Sequence, residues 1–224
     1  MTKLILLRHG QSEWNKKNLF TGWINSPLSP EGTAEALKLK LQLAQEKIDI
    51  VFVSSLIRAQ QTALLSLSDT DKTPILISQN NNNPSWSKLP SNNTQWHDSI
   101  PMIEDSRLNE RYYGDLQGMN KTTAIDKYGA DQVKIWRRSF DTPPPNGESL
   151  AMTSKRTIPA LKELIIPQLE QQKNVLVVAH GNSLRSIIMH IENTAAKDID
   201  KLEIATAIPI YYQYKLQQFT KISR

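Results

Sequence analysis

Apolar residues fall into two patterns along the chain. Short, nearly continuous runs at Leu4–Leu7, Ile48–Val53, Ile75–Ile77, Val175–Ala179 and Ile208–Leu216 read as strands. Such runs suit strands covered on both faces, as in a parallel sheet. Between them apolar positions recur at helical spacing. Ser29-Pro30-Glu31 reads as an N-cap, a proline at the first helical position and an acid in the first turn, and Ala34, Leu37, Leu41 and Ala44 follow. Ser54 or Ser55 caps a helix to about Leu67. Helical patterns resume at Lys121–Tyr128 and Asp131–Ser139, and over 150–170 with Ile158, Leu161, Leu164 and Ile165 on one side. A last helix follows Ala179 and runs to about Glu192. Residues 79–101 differ: Asn80 to Asn83, Pro84, Pro90, Asn92, Asn93 and Pro101 read as a long polar loop, although Trp86 and Trp96 argue against pure disorder.

Strands alternating with helices predict an α/β fold. The expected architecture is one three-layer domain spanning 1–224, a mostly parallel central sheet flanked by helices. The final strand is expected at an antiparallel edge, because Pro209 cannot donate to a ladder. Pro143-Pro144-Pro145 reads as a loop within that domain, since the strands on either side belong to one sheet.

The length of 224 residues is enough to bury a core without staples. There is no cysteine, which removes disulfides, thiolate metal sites and a thiol nucleophile. No apolar run is long enough for a membrane span, and the run at Leu4–Leu7 is too short for a signal-peptide core. A soluble, cytoplasmic protein is expected. Lys and Arg exceed Asp and Glu by 27 − 22 = 5. The arginines are scattered singly or in pairs, which fits convergence on a compact anion or a solvated surface. It does not resemble the basic runs of nucleic-acid binders.

The chemistry is concentrated in two similar strings. Leu4-Ile-Leu-Leu-Arg8-His9-Gly10-Gln11-Ser12 and Val175-Leu-Val-Val-Ala179-His180-Gly181-Asn182-Ser183 are each a strand, then His-Gly, an amide and a serine. Ligands of open parallel sheets bind beyond the carboxyl ends of the strands. Neighbouring strands would therefore set the two imidazoles face to face across one anion. The glycines allow a sharp turn, and Ser183 is placed to cap a helix whose amides attract phosphate. Of the other two histidines, His97 lies in the polar loop and His190 inside a helix, and both read as structural. Arg8 and Arg58 fall at the same sheet edge and bind phosphate oxygens by their forks. No HExxH, paired-Asp or P-loop pattern appears, so metal-free phosphoryl transfer through an imidazole nucleophile is expected. Glu110, in Arg107-Leu-Asn-Glu-Arg-Tyr-Tyr-Gly114, is the best candidate acid/base.

Leu7-Arg8-His9-Gly10 with Ser12, Trp14 and Asn15 resembles the signature of the histidine phosphatase superfamily. Thr21-Gly22-Trp23, Leu108-Asn109-Glu110-Arg111-Tyr112-Tyr113-Gly114, Trp136-Arg137-Arg138-Ser139, Gly147-Glu148-Ser149-Leu150 and His180-Gly181-Asn182-Ser183-Leu184-Arg185 are similar to the 2,3-bisphosphoglycerate-dependent phosphoglycerate mutases. The likeness spans about residues 2–216, interrupted at 79–105. It implies that phosphorylated His9 passes its phosphoryl group to 3-phosphoglycerate and regains one as 2-phosphoglycerate forms. The implied primer is 2,3-bisphosphoglycerate, with no metal. Glu110 would shuttle the proton. Arg8, Arg58 and His180 would hold the phosphoryl group, helped by Asn15, Gly181 and Asn182. Thr21, Gly22, Arg111, Tyr112, Tyr113, Lys121, Arg137 and Arg138 would bind the rest of the substrate. The implied partners are small molecules, not nucleic acid or membrane, and a monomer or homodimer is left open.

Two departures from the family pattern stand out. Ala205-Thr206-Ala207 replaces the Pro-Thr-Gly that the family typically has, and Ala207 excludes easy positive φ. Longer relatives also carry a tail that closes the site, so poorer water exclusion is implied here. A phosphatase of the same superfamily is the alternative reading, and a non-catalytic anion or nucleic-acid binder a more distant one.

Overall fold

Seven strands form one sheet in the order β3-β4-β2-β5-β1-β6-β7 in the computed structural model, which describes residues 1–78 and 98–223. In chain order the elements begin with β1 (Thr2–Arg8), α1 (Glu13–Lys16), α2 (Pro30–Lys38), α3 (Lys40–Ala44), β2 (Ile50–Val53) and α4 (Ile57–Ser66). Next come β3 (Thr73–Ser78), β4 (Ser99–Glu104), α5 (Lys121–Tyr128), α6 (Ala130–Arg138) and α7 (Leu150–Ala160). The chain finishes with α8 (Ile166–Glu170), β5 (Val175–Ala179), α9 (Gly181–Ile191), β6 (Pro209–Lys215) and β7 (Gln218–Ile222).

Strands β3, β4, β2, β5 and β1 are mutually parallel. The apolar runs of β1, β2 and β5 are buried on both faces, as the sequence predicts, with Leu4 to Leu7 and Val175 to Ala179 fully buried; the run of β3, at the sheet edge, is not, and Leu76 is 41% exposed. One core lies against α7, α8 and α9 and includes Leu6, Phe52, Val177 and Ile187. The other lies against α3 and α4 and includes Leu7, Leu43, Val53 and Val178.

The structure corrects several local expectations. The Ala34, Leu37, Leu41 and Ala44 stripe faces outward, with Leu41 76% exposed. A second stripe at helical spacing, Gly32, Ala36, Leu39 and Leu43, is the buried one. The helix breaks at Leu39, the cap between α2 and α3, and the stripe that reaches α4 wins. Neither Ser54 nor Ser55 caps α4; the first amide of that helix, on Ile57, donates instead to Asn25 Oδ1 at 2.7 Å. Residues 99–101, assigned to the polar loop, begin β4, where Ile100 and Met102 are buried. Pro101 is tolerated because the β2 ladder starts only at Met102. Residues 79–97 of that loop, with Trp86, Trp96 and His97, lie outside the described residues.

The last expected strand is not the edge. β6 lies between β1 and β7, and both of its pairings are antiparallel. Leu216 and Gln217 close the β6–β7 hairpin with φ of 49° and 61°. A two-residue loop with both residues left-handed is the turn normally signalled by Asn-Gly. Leu-Gln carries no such signal, so the edge strand was invisible in the sequence.

Ala207 does adopt the left-handed conformation, at φ 51°. The turn geometry is thus kept without glycine, at a cost of about 1 kcal/mol. Its amide donates to Arg8 O at 3.0 Å, while Arg8 Nη1 donates to Ile204 O at 2.7 Å. The loop therefore braces Arg8 from both ends. Ala207→Gly should relieve the strain and raise the melting temperature by roughly 2–4 °C, the scale for about 1 kcal/mol at this chain length. Differential scanning calorimetry reads this directly, and an unchanged or lower value would mean that the turn is unstrained.

Candidate active site

The register of β1 on β5 pairs Arg8 with Ala179. His9 and His180 are the next residues, so their rings meet at the sheet edge with centroids 4.9 Å apart. Both are buried. His9 Nδ1 lies 2.6 Å from Gly10 O. A carbonyl only accepts, so Nδ1 carries the proton and Nε2 keeps a lone pair. Arg58 Nε donates to that Nε2 at 3.3 Å. Burial, followed by the charges of Arg58 and Arg8, pushes the His9 pKa well below 6.5. His9 is thus a neutral base with its lone pair aimed at the cations, the state a nucleophile needs.

The roles of the two glycines differ from the expected sharp turn, for neither has a positive φ. A Cβ on Gly10 would come within 2.5 Å of Gly32 O. A Cβ on Gly181 would stand 3.6 Å from Arg8 Cζ and 3.7 Å from Glu110 Oε2, where a ligand oxygen belongs. Ser183 is also not the helix cap. It is the third residue of α9, and its hydroxyl accepts from His180 N at 3.0 Å.

Arg58 is 1% exposed. Besides His9 it donates to Ile24 O at 2.9 Å and Gly22 O at 2.8 Å. Burial, followed by the nearby Arg8 charge, lowers its pKa to about 10 against the opposing pull of Glu110, so it remains a cation at neutral pH. Gly22 is left-handed at φ 52°, and a Cβ there would strike the Gln117 side chain.

His180 is held from behind. Its Nε2 lies 2.6 Å from Ser54 Oγ, which already accepts from Leu56 N at 3.2 Å. That contact anchors the ring through Nε2. That Nδ1 is buried with no partner. Burial first, then the charges of Arg58, His9 and Arg8, lowers the His180 pKa well below 6.5. The neutral ring stands next to the His9 nucleophile. Ser54→Ala should free the ring and lower kcat about 10–100-fold, the equivalent of one buried hydrogen bond. Steady-state kinetics on that variant beside Ser54→Thr would show it, and a full-rate Ala variant would refute the assignment.

Glu110 enters from the loop after β4 and is 9% exposed. Its Oε1 accepts from Arg111 N at 2.7 Å and Asn182 N at 3.2 Å. An α9 amide expected to face phosphate is thus committed to a carboxylate. Oε2 is left toward Gly181.

These groups wall a cavity of about 350 Å³. It is lined by Arg8, His9, Asn15, Thr21, Gly22, Arg58, Glu110 and Tyr113, and further out by Lys121, Arg137, Arg138, Gly181 and Asn182. His180 and Arg111 stand directly behind it. Arg111 is fully buried and donates to Tyr113 Oη and Arg137 O. The Tyr113 hydroxyl is raised in pKa by burial but lowered overall by Arg111 and by donation from Asn182 Nδ2. Lys121 is lowered by burial and then by Arg137. Tyr112 is not brought to the cavity; its ring is exposed and lies edge-on to Trp23. His190 is exposed at the end of α9.

Sequence reasoning gave no site role to Arg185 and Glu203, which also line the cavity, together with Ile204 and Ala205 of the loop already marked as a departure from the family pattern. Arg185 was detectable: it lies one turn beyond Asn182 at the sheet-facing end of α9, and its Nη1 donates to Asn182 Oδ1 at 2.8 Å. Its pKa is lowered by burial and then by Arg138. Glu203 pairs with Arg138 at 2.9 Å across the cavity mouth, a contact that no local pattern encodes.

Six cationic side chains, two carboxylates and a neutral imidazole with an unprotonated Nε2 suit transfer of a phosphoryl group through histidine. The chain belongs to the histidine phosphatase superfamily, branch 1, whose family model matches residues 4–80 and 92–221. Within it the chain belongs to the 2,3-bisphosphoglycerate-dependent phosphoglycerate mutases. A relative of that name from Protochlamydia amoebophila is 49% identical over 224 residues, covering 99% of each chain. Another, from Chlamydia trachomatis, is 45% identical over 99% of this chain and 97% of its own. Among solved structures, Bacillus stearothermophilus YhfR superposes with a TM-score of 0.78 at 21% identity, covering 99% of this chain and 95% of that one, which establishes the shared fold.

Proposed function

We propose that this chain interconverts 3-phosphoglycerate and 2-phosphoglycerate, with His9 Nε2 carrying the phosphoryl group between them. One observation carries the reading. A neutral imidazole whose unprotonated Nε2 accepts from Arg58 faces a cation-lined cavity, in a chain 49% identical to a mutase of that specificity. The residues fit the primer named by the relatives. Arg8 Nε, Thr21 Oγ1, Arg111 Nε and His180 Nδ1 are buried polar atoms without protein partners, and all belong to the cavity wall or the layer behind it. A ligand with two phosphates and a carboxylate supplies acceptors for the donors among them.

Bound 2,3-bisphosphoglycerate supplies the phosphoryl group that loads His9. Arg8, Arg58 and His180 hold the equatorial oxygens during transfer. The 2-hydroxyl of 3-phosphoglycerate attacks phosphorus in line as the P–Nε2 bond breaks, and the electron pair returns to the imidazole. Its proton goes to Glu110 Oε2. In the return step the 3-phosphoryl group moves to His9 Nε2, and Glu110 gives the proton back to the leaving oxygen. Lys121, Arg137 and Arg138, at the outer wall, bind the carboxylate and the phosphate not in transfer. No metal enters these steps.

The partners are small polyanions, because six cations converge inside one cavity. A cytoplasmic setting suits such a substrate, and no helix among the described residues is long and apolar enough to cross a membrane. The altered 204–207 loop gives no reason to prefer hydrolysis over isomerisation, since Ala207 keeps the left-handed turn and its bond to Arg8. The test is conversion of 3- to 2-phosphoglycerate in EDTA, with and without primer, quenched before any metal-dependent coupling enzyme is added. Primer-dependent, EDTA-resistant isomerisation is expected. Phosphate release without isomerisation would place the chain on the phosphatase branch.

A further inference from the structure

We propose that Arg156 is the positioning residue of Glu110: it clamps the 107–110 backbone so that the carboxylate is held with Oε2 toward the cavity. This deepens the phosphoryl-transfer reading and rests on it for the role of Glu110. Arg156 lies on α7 and does not line the cavity.

Its guanidinium is fully engaged. Nε donates to Glu148 Oε1 at 2.9 Å, and Nη2 to Glu148 Oε2 at 2.8 Å, a bidentate pair. Nη1 donates to Arg107 O and Asn109 O, and Nη2 also to Glu110 O, each at 2.8 Å. An arginine has five N–H donors, and these five bonds use all of them. Three of the acceptors are main-chain carbonyls within four consecutive residues. Glu148 completes the grip from the other side. Its Oε2 accepts from Tyr112 N at 2.9 Å, and its own amide donates to Tyr112 O at 2.7 Å. The indole of Trp23 also donates to Glu110 O, and Arg156 lies 5.4 Å above that ring.

This arrangement matters because the Glu110 carboxylate is held by amides from two different elements. Arg111 N belongs to the same loop, whereas Asn182 N belongs to α9. Both can reach Oε1 only if the loop carbonyls stay at a fixed distance from α9. The Asn182 bond, at 3.2 Å, is the longer and the first lost if the segment moves. Lysine cannot replace the clamp, since one ammonium cannot span three carbonyls and a carboxylate. A displacement of about 1 Å at a catalytic group costs up to about 100-fold in rate.

The experiment compares Arg156→Lys and Glu148→Gln with the parent and with Glu110→Gln. Amide shifts and exchange protection of Arg111 and Asn182 are read by NMR, and isomerisation kinetics are measured on the same preparations. Both variants should perturb the Asn182 amide. In Arg156→Lys, kcat should fall at least about 10-fold with KM within about threefold. The loss should vanish when Glu110→Gln is already present, because Arg156 acts only through Glu110. If Arg156→Lys does not fold, Glu148→Gln, which keeps the guanidinium but weakens its anchor, decides by the same readouts with a smaller loss. Unmoved amides, or an equal loss in the Glu110→Gln background, would overturn the proposal. The amide readout does not depend on the reaction, so a failed clamp shows as unmoved amides and a failed functional reading as an inert parent.

Discussion

Replacing His9 with Ala should abolish isomerisation and leave the protein folded. The loss expected for removing a covalent nucleophile is about 10⁶-fold, which is below detection in a coupled assay. His180 cannot substitute, because its ring is fully buried and its Nε2 is tied to Ser54. Incubation with 2,3-bisphosphoglycerate should give acid-labile, base-stable phosphate on the parent and none on the variant. The same substitution has a stability signature. Burial and the cations Arg58 and Arg8 lower the His9 pKa in the folded state, so below about 6.5 the unfolded chain holds the proton that the folded one refuses. Stability is therefore lost as pH falls from 6.5 toward the folded value. Removing the imidazole should make that decline shallower between neutral pH and about pH 5, as followed by thermal melts. Retained activity in His9→Ala would end the phosphohistidine reading. An unchanged acid slope would mean that His9 is not buried beside its cations.

The chemical centre was legible because it is written in local strings. Two apolar runs that each end in His-Gly can meet only if their strands are neighbours, and the β1–β5 register makes them so. Arg8 and Arg58 were legible for the same reason, near the carboxyl ends of β1 and β2, whereas Glu110 was legible from its own string of charged and aromatic residues, since no strand was expected before it. The misplaced features are those decided by distant partners. Two apolar stripes compete on α2 and α3, and only the position of α4 selects between them. β4 is a strand despite Pro101 because β3 and β2 flank it. The β6–β7 hairpin turns on Leu-Gln, a pair with no turn propensity. Tyr112 carries a family motif, yet its backbone answers to Glu148 while its ring turns to Trp23. Arg156 carried no signal of its own in the sequence, because its carbonyl acceptors come together only in the fold. Motif residues that touch the ligand are thus readable along the chain, and the residues that hold them in place become readable only in three dimensions.

Glu110→Gln should lower kcat by about 10²–10⁴-fold with little change in KM, the range for losing a general acid/base. The substitution is nearly isosteric, and this separates chemistry from architecture. The main-chain bonds from Arg156 and Trp23 go to the Glu110 carbonyl and are untouched. A glutamine oxygen can still accept from Arg111 N and Asn182 N, so the carboxamide oxygen takes the place of Oε1. The amide nitrogen then replaces Oε2, the atom toward Gly181, and it can neither accept the proton of an attacking hydroxyl nor return one. Binding should survive because the substrate's charges are met by Arg8, Arg58, Lys121, Arg137 and Arg138, none of which the change alters. Loading of His9 from 2,3-bisphosphoglycerate should slow with turnover, since its leaving oxygen needs the same proton. Rapid-quench measurement of phospho-His9 formation, beside steady-state kinetics, distinguishes this from slow product release. If the variant loads His9 at the parental rate yet isomerises slowly, Glu110 serves only the acceptor hydroxyl. If both rates stay within tenfold of the parent, the proton does not pass through Glu110.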